Sequence, residues 1–186
     1  MPWNKRSTGP PGAPPSETTM THLISPPMPG LDLRFAYEAL VTLQPEEVQG
    51  HTHKGQRLRV PITGGRFQGQ GLSGRILPGG ADWQLLRTDG RLEIEAIYDM
   101  QTEDGAFIHV RNKGLWYSAN NQWPAEYAVT HPVFEAPQGP YEWMNTSLFV
   151  GTVGEGPDGP LSIRLAVYQV CMNTQCLPPL ATALNL

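Results

Sequence analysis

From Arg91 to Met100 the chain alternates. Leu92, Ile94, Ala96, Tyr98 and Met100 fall on one side and Arg91, Glu93, Glu95 and Asp99 on the other, with Ile97 the exception. Successive side chains of a strand point to opposite faces, so this run predicts a half-buried strand. After a turn at Glu103-Asp104-Gly105, Ala106, Ile108, Val110 and Asn112 alternate with Phe107, His109, Arg111 and Lys113. The two runs predict an antiparallel hairpin with one face inward.

Shorter strand signals flank this hairpin. Residues 58–63 are apolar and β-branched, and Gly64-Gly65 breaks them. Residues 72–77 end at a Pro78-Gly79-Gly80 turn. Residues 83–86 close on the hairpin turn Thr88-Asp89-Gly90. Further strands are expected at 127–135, 143–153 and 161–170. Residues 31–43 have helix propensity, but the chain-wide pattern favours a strand. Residues 44–56 read as a loop; its His51 and His53 have no third ligand nearby and predict no metal site. The expectation is an all-β fold of about eight or nine strands. A single closed or nearly closed antiparallel barrel is the common way for such a set to avoid exposed edges.

Composition supports this. Twenty Gly and 19 Pro in 186 residues disfavour long helices, and 39% hydrophobic residues suffice for one core. Residues 1–30 carry eight of the prolines and read as a disordered tail, 31–170 as the barrel domain and 171–186 as a C-terminal extension. A net charge of −4 without a basic stripe argues against nucleic acid. No apolar run approaches the ~18 residues of a membrane span. Lys5 and Arg6 are not followed by an apolar stretch, so a cytoplasmic location is expected. In that setting Cys171 and Cys176 read as thiols. Nucleotide, flavin and metal motifs are absent, so no cofactor is expected.

Several strings are more specific. They are Gly64-Gly65-Arg66-Phe67-x-Gly69, Leu72-x-Gly74-x-x-Leu77-Pro78-Gly79-Gly80-Ala81-Asp82-Trp83-Gln84, Thr102-Glu103-Asp104-Gly105-Ala106 with Asn112-x-Gly114, Pro132-x-Phe134-Glu135, and Tyr141-x-Trp143-x-Asn145 with Leu148-Phe149-Val150-Gly151. Over residues 31–170 the chain resembles the DUF3237 (UPF0311) family. That resemblance implies a β-barrel and assigns no activity.

Asp82 and Trp83 follow the Pro-Gly-Gly turn at a strand start. A carboxylate beside a large ring can have a raised pKa and act as general acid or base; alternatively Asp82 caps the turn and Trp83 fills the core. Tyr98 and Asn112 are expected on the inward faces of their strands, and Trp143 and Asn145 on a shared face of theirs. Glu135 is a second candidate acid. Asp82, Glu135 and Tyr98 are thus the candidate catalytic residues, and Trp83, Asn112, Trp143 and Asn145 the candidate ligand contacts. Converging inside a barrel they suit a flat, oxygen-bearing ligand; the alternative is an internal hydrogen-bond network.

Three readings follow. The first is a cofactor-independent enzyme moving a proton on a carbonyl or aromatic metabolite, as an isomerase, cyclase or lyase does. In it Asp82 or Glu135 carries the proton, and Tyr98 and Asn145 hold an enolate-like oxygen. The second is a non-catalytic binder of a small-molecule ligand. The third is a homo-oligomeric structural barrel filled by its own side chains.

Overall fold

The computed structural model describes residues 29–172. Ten strands follow in order: β1 (Leu31–Leu43), β2 (Glu47–Thr52), β3 (Gly55–Gly69), β4 (Leu72–Ile76), β5 (Ala81–Arg87), β6 (Leu92–Thr102), β7 (Phe107–Tyr117), β8 (Tyr127–Glu135), β9 (Leu148–Gly156) and β10 (Gly159–Met172). The neighbour order β1-β10-β9-β8-β7-β6-β4-β3 closes through a direct β1–β3 pairing. The result is an eight-stranded antiparallel barrel, with β2 and β5 as additional strands. Residues 31–43 form a strand that pairs on both edges, with β10 and with β3. Closure saturates the backbone of both, and this overrides the helix propensity of β1. No described helix is long and apolar enough to cross a membrane.

The central hairpin has the expected register, with Tyr98 opposite Val110 and Ala96 opposite Asn112. Three connections differ from expectation. Residues 44–56 contain β2, which pairs with the first half of β3. The pattern hides it because β2 is an exposed ribbon without a buried face. Gly64 and Gly65 do not break β3. Both lie at positive φ, and a Cβ on Gly65 would sit 2.2 Å from the Leu40 carbonyl oxygen, so glycine lets the strand bend tightly against β1. Pro78-Gly79-Gly80 does not reverse the chain. β4 and β5 run in the same direction, pairing with the second and first halves of β3 in turn, and the three residues form a jog between them. Gly79 N–H donates to Ile62 O (3.2 Å) and Ile62 N–H to Gly80 O (2.9 Å), so β3 stays bonded across the jog.

The core lines the barrel interior and reaches the end where β8 leaves and β9 enters. Tyr37, Phe67, Met100, Ile108, Val110, Phe134, Phe149 and Val167 are buried there. Phe134 meets Phe149 edge-on at 4.9 Å between ring centroids. A 3-10 turn, Glu142–Thr146, stoppers this end by inserting Trp143 and Met144. β10 continues through Met172, two residues into the segment read as an extension. The expected tail, apart from residues 29 and 30, and the rest of that extension lie outside the described residues. Cys171 is disulfide-bonded, which corrects the expectation of a thiol.

Candidate functional site

Below the aromatic core the inner wall changes character. β6, β7 and β8 present Ala96, Asn112 and Pro132 in one row, and Ile94, Gly114 and Thr130 in the next. Gly151 on β9 continues the second row beside Thr130. A Cβ on Gly114 would meet Thr130 Cγ2 at 2.6 Å, and one on Gly151 would meet Thr130 Oγ1 at 2.8 Å. Glycine at 114 and 151 therefore lets the Thr130 side chain lie directly against both flanking strands.

Polar groups of this wall, and Tyr37 of β1, lack partners. Tyr37 Oη, Tyr98 Oη, Asn112 Oδ1, Thr130 Oγ1 and Trp116 Nε1 are buried without a hydrogen bond among the described residues. Tyr98, Asn112 and Thr130 are successive diagonal neighbours on β6, β7 and β8. Burial pushes the Tyr98 hydroxyl up to about 12, against a smaller opposing influence of Tyr37. Burial, with the charge and hydroxyl of neighbouring Tyr98, also raises Tyr37 well above its ordinary value. The two hydroxyls sense each other electrostatically but do not meet in hydrogen-bonding geometry. Both stay protonated at neutral pH and remain donors.

Asp82 stands on the same inward face, between Val60 and Ala96, with Tyr98 one diagonal step away. Its Oδ1 accepts the Glu95 backbone N–H (2.8 Å) and its Oδ2 the Gln84 amide (2.6 Å). Burial raises its pKa from 3.8 to about 6; the Gln84 and Glu95 hydrogen bonds oppose the rise, and the Glu95 charge adds to it. Asp82 caps no turn. By surface area the residue is only half-buried, as are Gln84, Ile94 and Ala96 around it, while the carboxyl itself sits among protein atoms. The partial exposure of these inward residues gives the lower wall access to solvent. A carboxyl that titrates near neutrality thus shares the inward face with Tyr98.

The other candidates lie elsewhere. Glu135 is exposed on the outer face of β8, opposite His109, so it is not brought to the interior. Trp143 belongs to the stopper at the far end. Asn145 follows it in the 3-10 turn rather than sharing a strand face, and it bonds the backbone of Ala136 through both amide atoms (2.7 and 2.8 Å). Trp83 points outward, 41% exposed, with the Arg59 guanidinium 5.3 Å from its ring centroid. Asp82, Tyr98 and Asn112 are therefore the candidates that share one wall. Thr130 and Trp116 join them and were not singled out from the sequence. Their signal was strand parity: Thr130 alternates with Pro132 and Phe134, and Trp116 with Asn112 and Gly114.

The profile of a family described as protein of unknown function, DUF3237, matches residues 31–170. The chain belongs to the DUF3237 family. A UPF0311 protein of Rhodopseudomonas palustris is 30% identical over 158 residues, spanning 76% of this chain and 98% of that protein. The crystal structure of a beta-barrel like protein from Acinetobacter baumannii superposes with a TM-score of 0.69 at 31% identity, covering 77% of this chain and 98% of that one. An enzyme from Penicillium herquei shares the fold (TM-score 0.64, 23% identity, 80% of this chain and 100% of that one). The DUF3237 motif strings meet at the wall just described: Asp82, Asn112-x-Gly114 and Gly151 each belong to one of them.

Proposed function

We propose that the lower half of the barrel binds a small carbonyl or aromatic metabolite and that Asp82 exchanges a proton with it. The observation that carries this reading is the set of buried polar atoms on one wall, Tyr98 Oη, Asn112 Oδ1 and Thr130 Oγ1, that no described residue satisfies. Leaving such groups unpaired costs about 1–3 kcal/mol each, so a native wall with several adjacent ones is organised for a partner that brings its own polar atoms. Asp82, with a pKa of about 6, is poised to take or return a proton near neutrality. The Tyr98 hydroxyl, held protonated, would donate to an oxygen that gains charge as the proton leaves. Asn145, bound to the Ala136 backbone, is replaced in this role by Thr130 and Tyr37. The chemistry is that of an isomerase, cyclase or lyase without a cofactor.

Native mass spectrometry of the chain purified from its own host tests this. A retained organic molecule, lost in Thr130→Val and Tyr98→Phe variants that still fold, is expected. A bare chain, or a molecule retained equally by both variants, would remove the interior as the binding site. Turnover of the retained molecule would then separate a catalyst from a non-catalytic binder.

A further inference from the structure

A concavity of about 550 Å³ is lined mainly by outward-facing residues of the barrel. Most of its lining is on the outer face of the same strands, across β3, β5, β6, β7, β8 and β9, and Ile94, Gly114 and Thr130 of the inner wall also border it. Its volume falls in the range of about 300–1,000 Å³ that holds small organic ligands. Trp83 and Tyr127 stand in it, 41% and 47% exposed. Leu115, Val129 and Val150 supply apolar surface. Arg59, stacked on Trp83, fixes the orientation of the indole.

The charges in the groove do not cancel. Arg57, Arg87 and Lys113 face Glu93 and Glu95, three cations against two acids, a surplus of one positive charge. Both acids are engaged. Glu93 pairs with Arg87 at 3.4 Å. Glu95 takes Arg111 and, at 3.4 Å, Lys113. Burial raises its pKa, but the bonds and charges of Arg111 and Lys113 outweigh this and hold it below the usual carboxylate range. Arg57 is the cation left over. It is half-buried beside Leu85, on the face of Glu93, and makes no ion pair or side-chain hydrogen bond among the described residues. A guanidinium presents a planar fork of donors that suits a carboxylate, and an indole offers a flat face to a ring.

We infer that this groove is a second binding site, centred on Arg57 and Trp83 rather than on Asp82, for a flat aromatic carboxylate whose anionic group pairs with Arg57 and whose ring lies against Trp83. The alternation of β5 turns Asp82 and Trp83 to opposite faces, although Thr130 borders both sites. Asp82 serves the inner wall and Trp83 the outer groove, so the two sites can be altered independently.

Calorimetric titration of the full chain with 2-naphthoate, and with uncharged 2-naphthol for comparison, tests the inference. Saturable one-to-one binding of 2-naphthoate is expected, at least tenfold tighter than 2-naphthol. Arg57→Gln and Trp83→Leu should each weaken it at least tenfold, Arg57→Lys less, and Asp82→Asn by less than twofold. Circular dichroism identifies the folded variants; should Arg57→Gln not fold, Arg57→Lys and Trp83→Leu carry the comparison. Absence of saturable binding overturns the inference. So does equal affinity in all folded Arg57 and Trp83 variants. Loss in Asp82→Asn with the groove variants unaffected would place the anion in the barrel interior, also overturning it while leaving the proposed function standing.

Discussion

Asp82 and Trp83 are consecutive in the chain and lie on opposite faces of one sheet. The Asp82 carboxylate is bonded to the Glu95 N–H and the Gln84 amide on the inner wall, whereas the Trp83 ring lies under Arg59 on the outer face. The orientation follows from the jog at Pro78-Gly79-Gly80. It sets the register of β5, with Asp82 opposite Ala96 and Trp83 opposite Arg59.

The Asp82 carboxyl makes stability depend on pH. Its folded pKa of about 6 lies above the unfolded value near 3.8, so between them the folded chain holds the proton more tightly. Stability contributed by this group is therefore greatest below pH 4, is lost as pH rises through about 6 and levels off near pH 7. The rise from 3.8 to about 6 corresponds to about 3 kcal/mol at full burial, and to less for a residue that touches solvent. Urea denaturation of the parent and Asp82→Asn at pH 4 and pH 7 should show the difference between them moving by about 1–3 kcal/mol in favour of the variant at pH 7. A pH-independent difference would show an ordinary surface carboxylate.

Gly151→Ala is expected to fill the space beside Thr130. The added Cβ would stand 2.8 Å from Thr130 Oγ1 and 3.3 Å from the Ala166 carbonyl oxygen. Gly151 is not among the residues at positive φ, so the backbone tolerates alanine. Binding of the molecule retained by the parent should weaken at least tenfold, with a change in stability of about 1–3 kcal/mol. Unchanged retention would mean that the ligand does not reach this part of the wall.

Gly80→Ala is expected to be costlier for the fold. Its Cβ would lie 2.6 Å from both the Ile97 carbonyl oxygen and Tyr98 Cβ, a clash with backbone that no rotamer change relieves. A loss of about 3 kcal/mol or more in urea denaturation is expected, beyond the usual cost of a tight core contact. A loss below about 1 kcal/mol would show that the jog is loosely held.

Trp143, Asn145 and Glu135 should separate from the site in measurement. Trp143→Ala removes the stopper and should cost about 3–5 kcal/mol. Asn145→Ala gives up two bonds to Ala136 and should cost about 1–2 kcal/mol. Glu135→Gln alters an exposed outward carboxylate and should stay within ±0.5 kcal/mol. None should shift the pH titration of Asp82 followed by carboxyl NMR; a shift in any of them would tie that residue to the inner wall.

The strands that close the barrel were legible because their alternation is strict. β6 and β7 have one face in the core, and parity alone turned Tyr98 and Asn112 inward. The same rule, extended through Pro132 and Phe134, turns Thr130 inward as well. Legibility failed where local chemistry has two structural uses. Pro78-Gly79-Gly80 satisfies a reversing turn as well as a jog, and only the pairing of β4 and β5 with one β3 distinguishes them. Trp143 and Asn145 are two apart and share a face only if the segment is extended; as a 3-10 turn it sends one into the core and the other to the Ala136 backbone. Trp83 was assigned with Asp82 because they are adjacent in a motif, although adjacency in a strand means opposite faces. The disulfide at Cys171 was missed because the thiol reading rested on an assumed reducing compartment. The outer groove had no sequence signature, since its lining is gathered from six strands.

The central claim is that the inner wall formed by Tyr98, Asn112, Thr130 and Asp82 holds a small molecule. A high-resolution crystal structure of the chain, purified from its own host without added ligands, measures this most directly. The account predicts density for an organic molecule within hydrogen-bonding distance of Tyr98 Oη, Asn112 Oδ1 or Thr130 Oγ1 and beside the Asp82 carboxylate. A lower barrel closed by its own side chains, with those atoms bonded to one another, would contradict it.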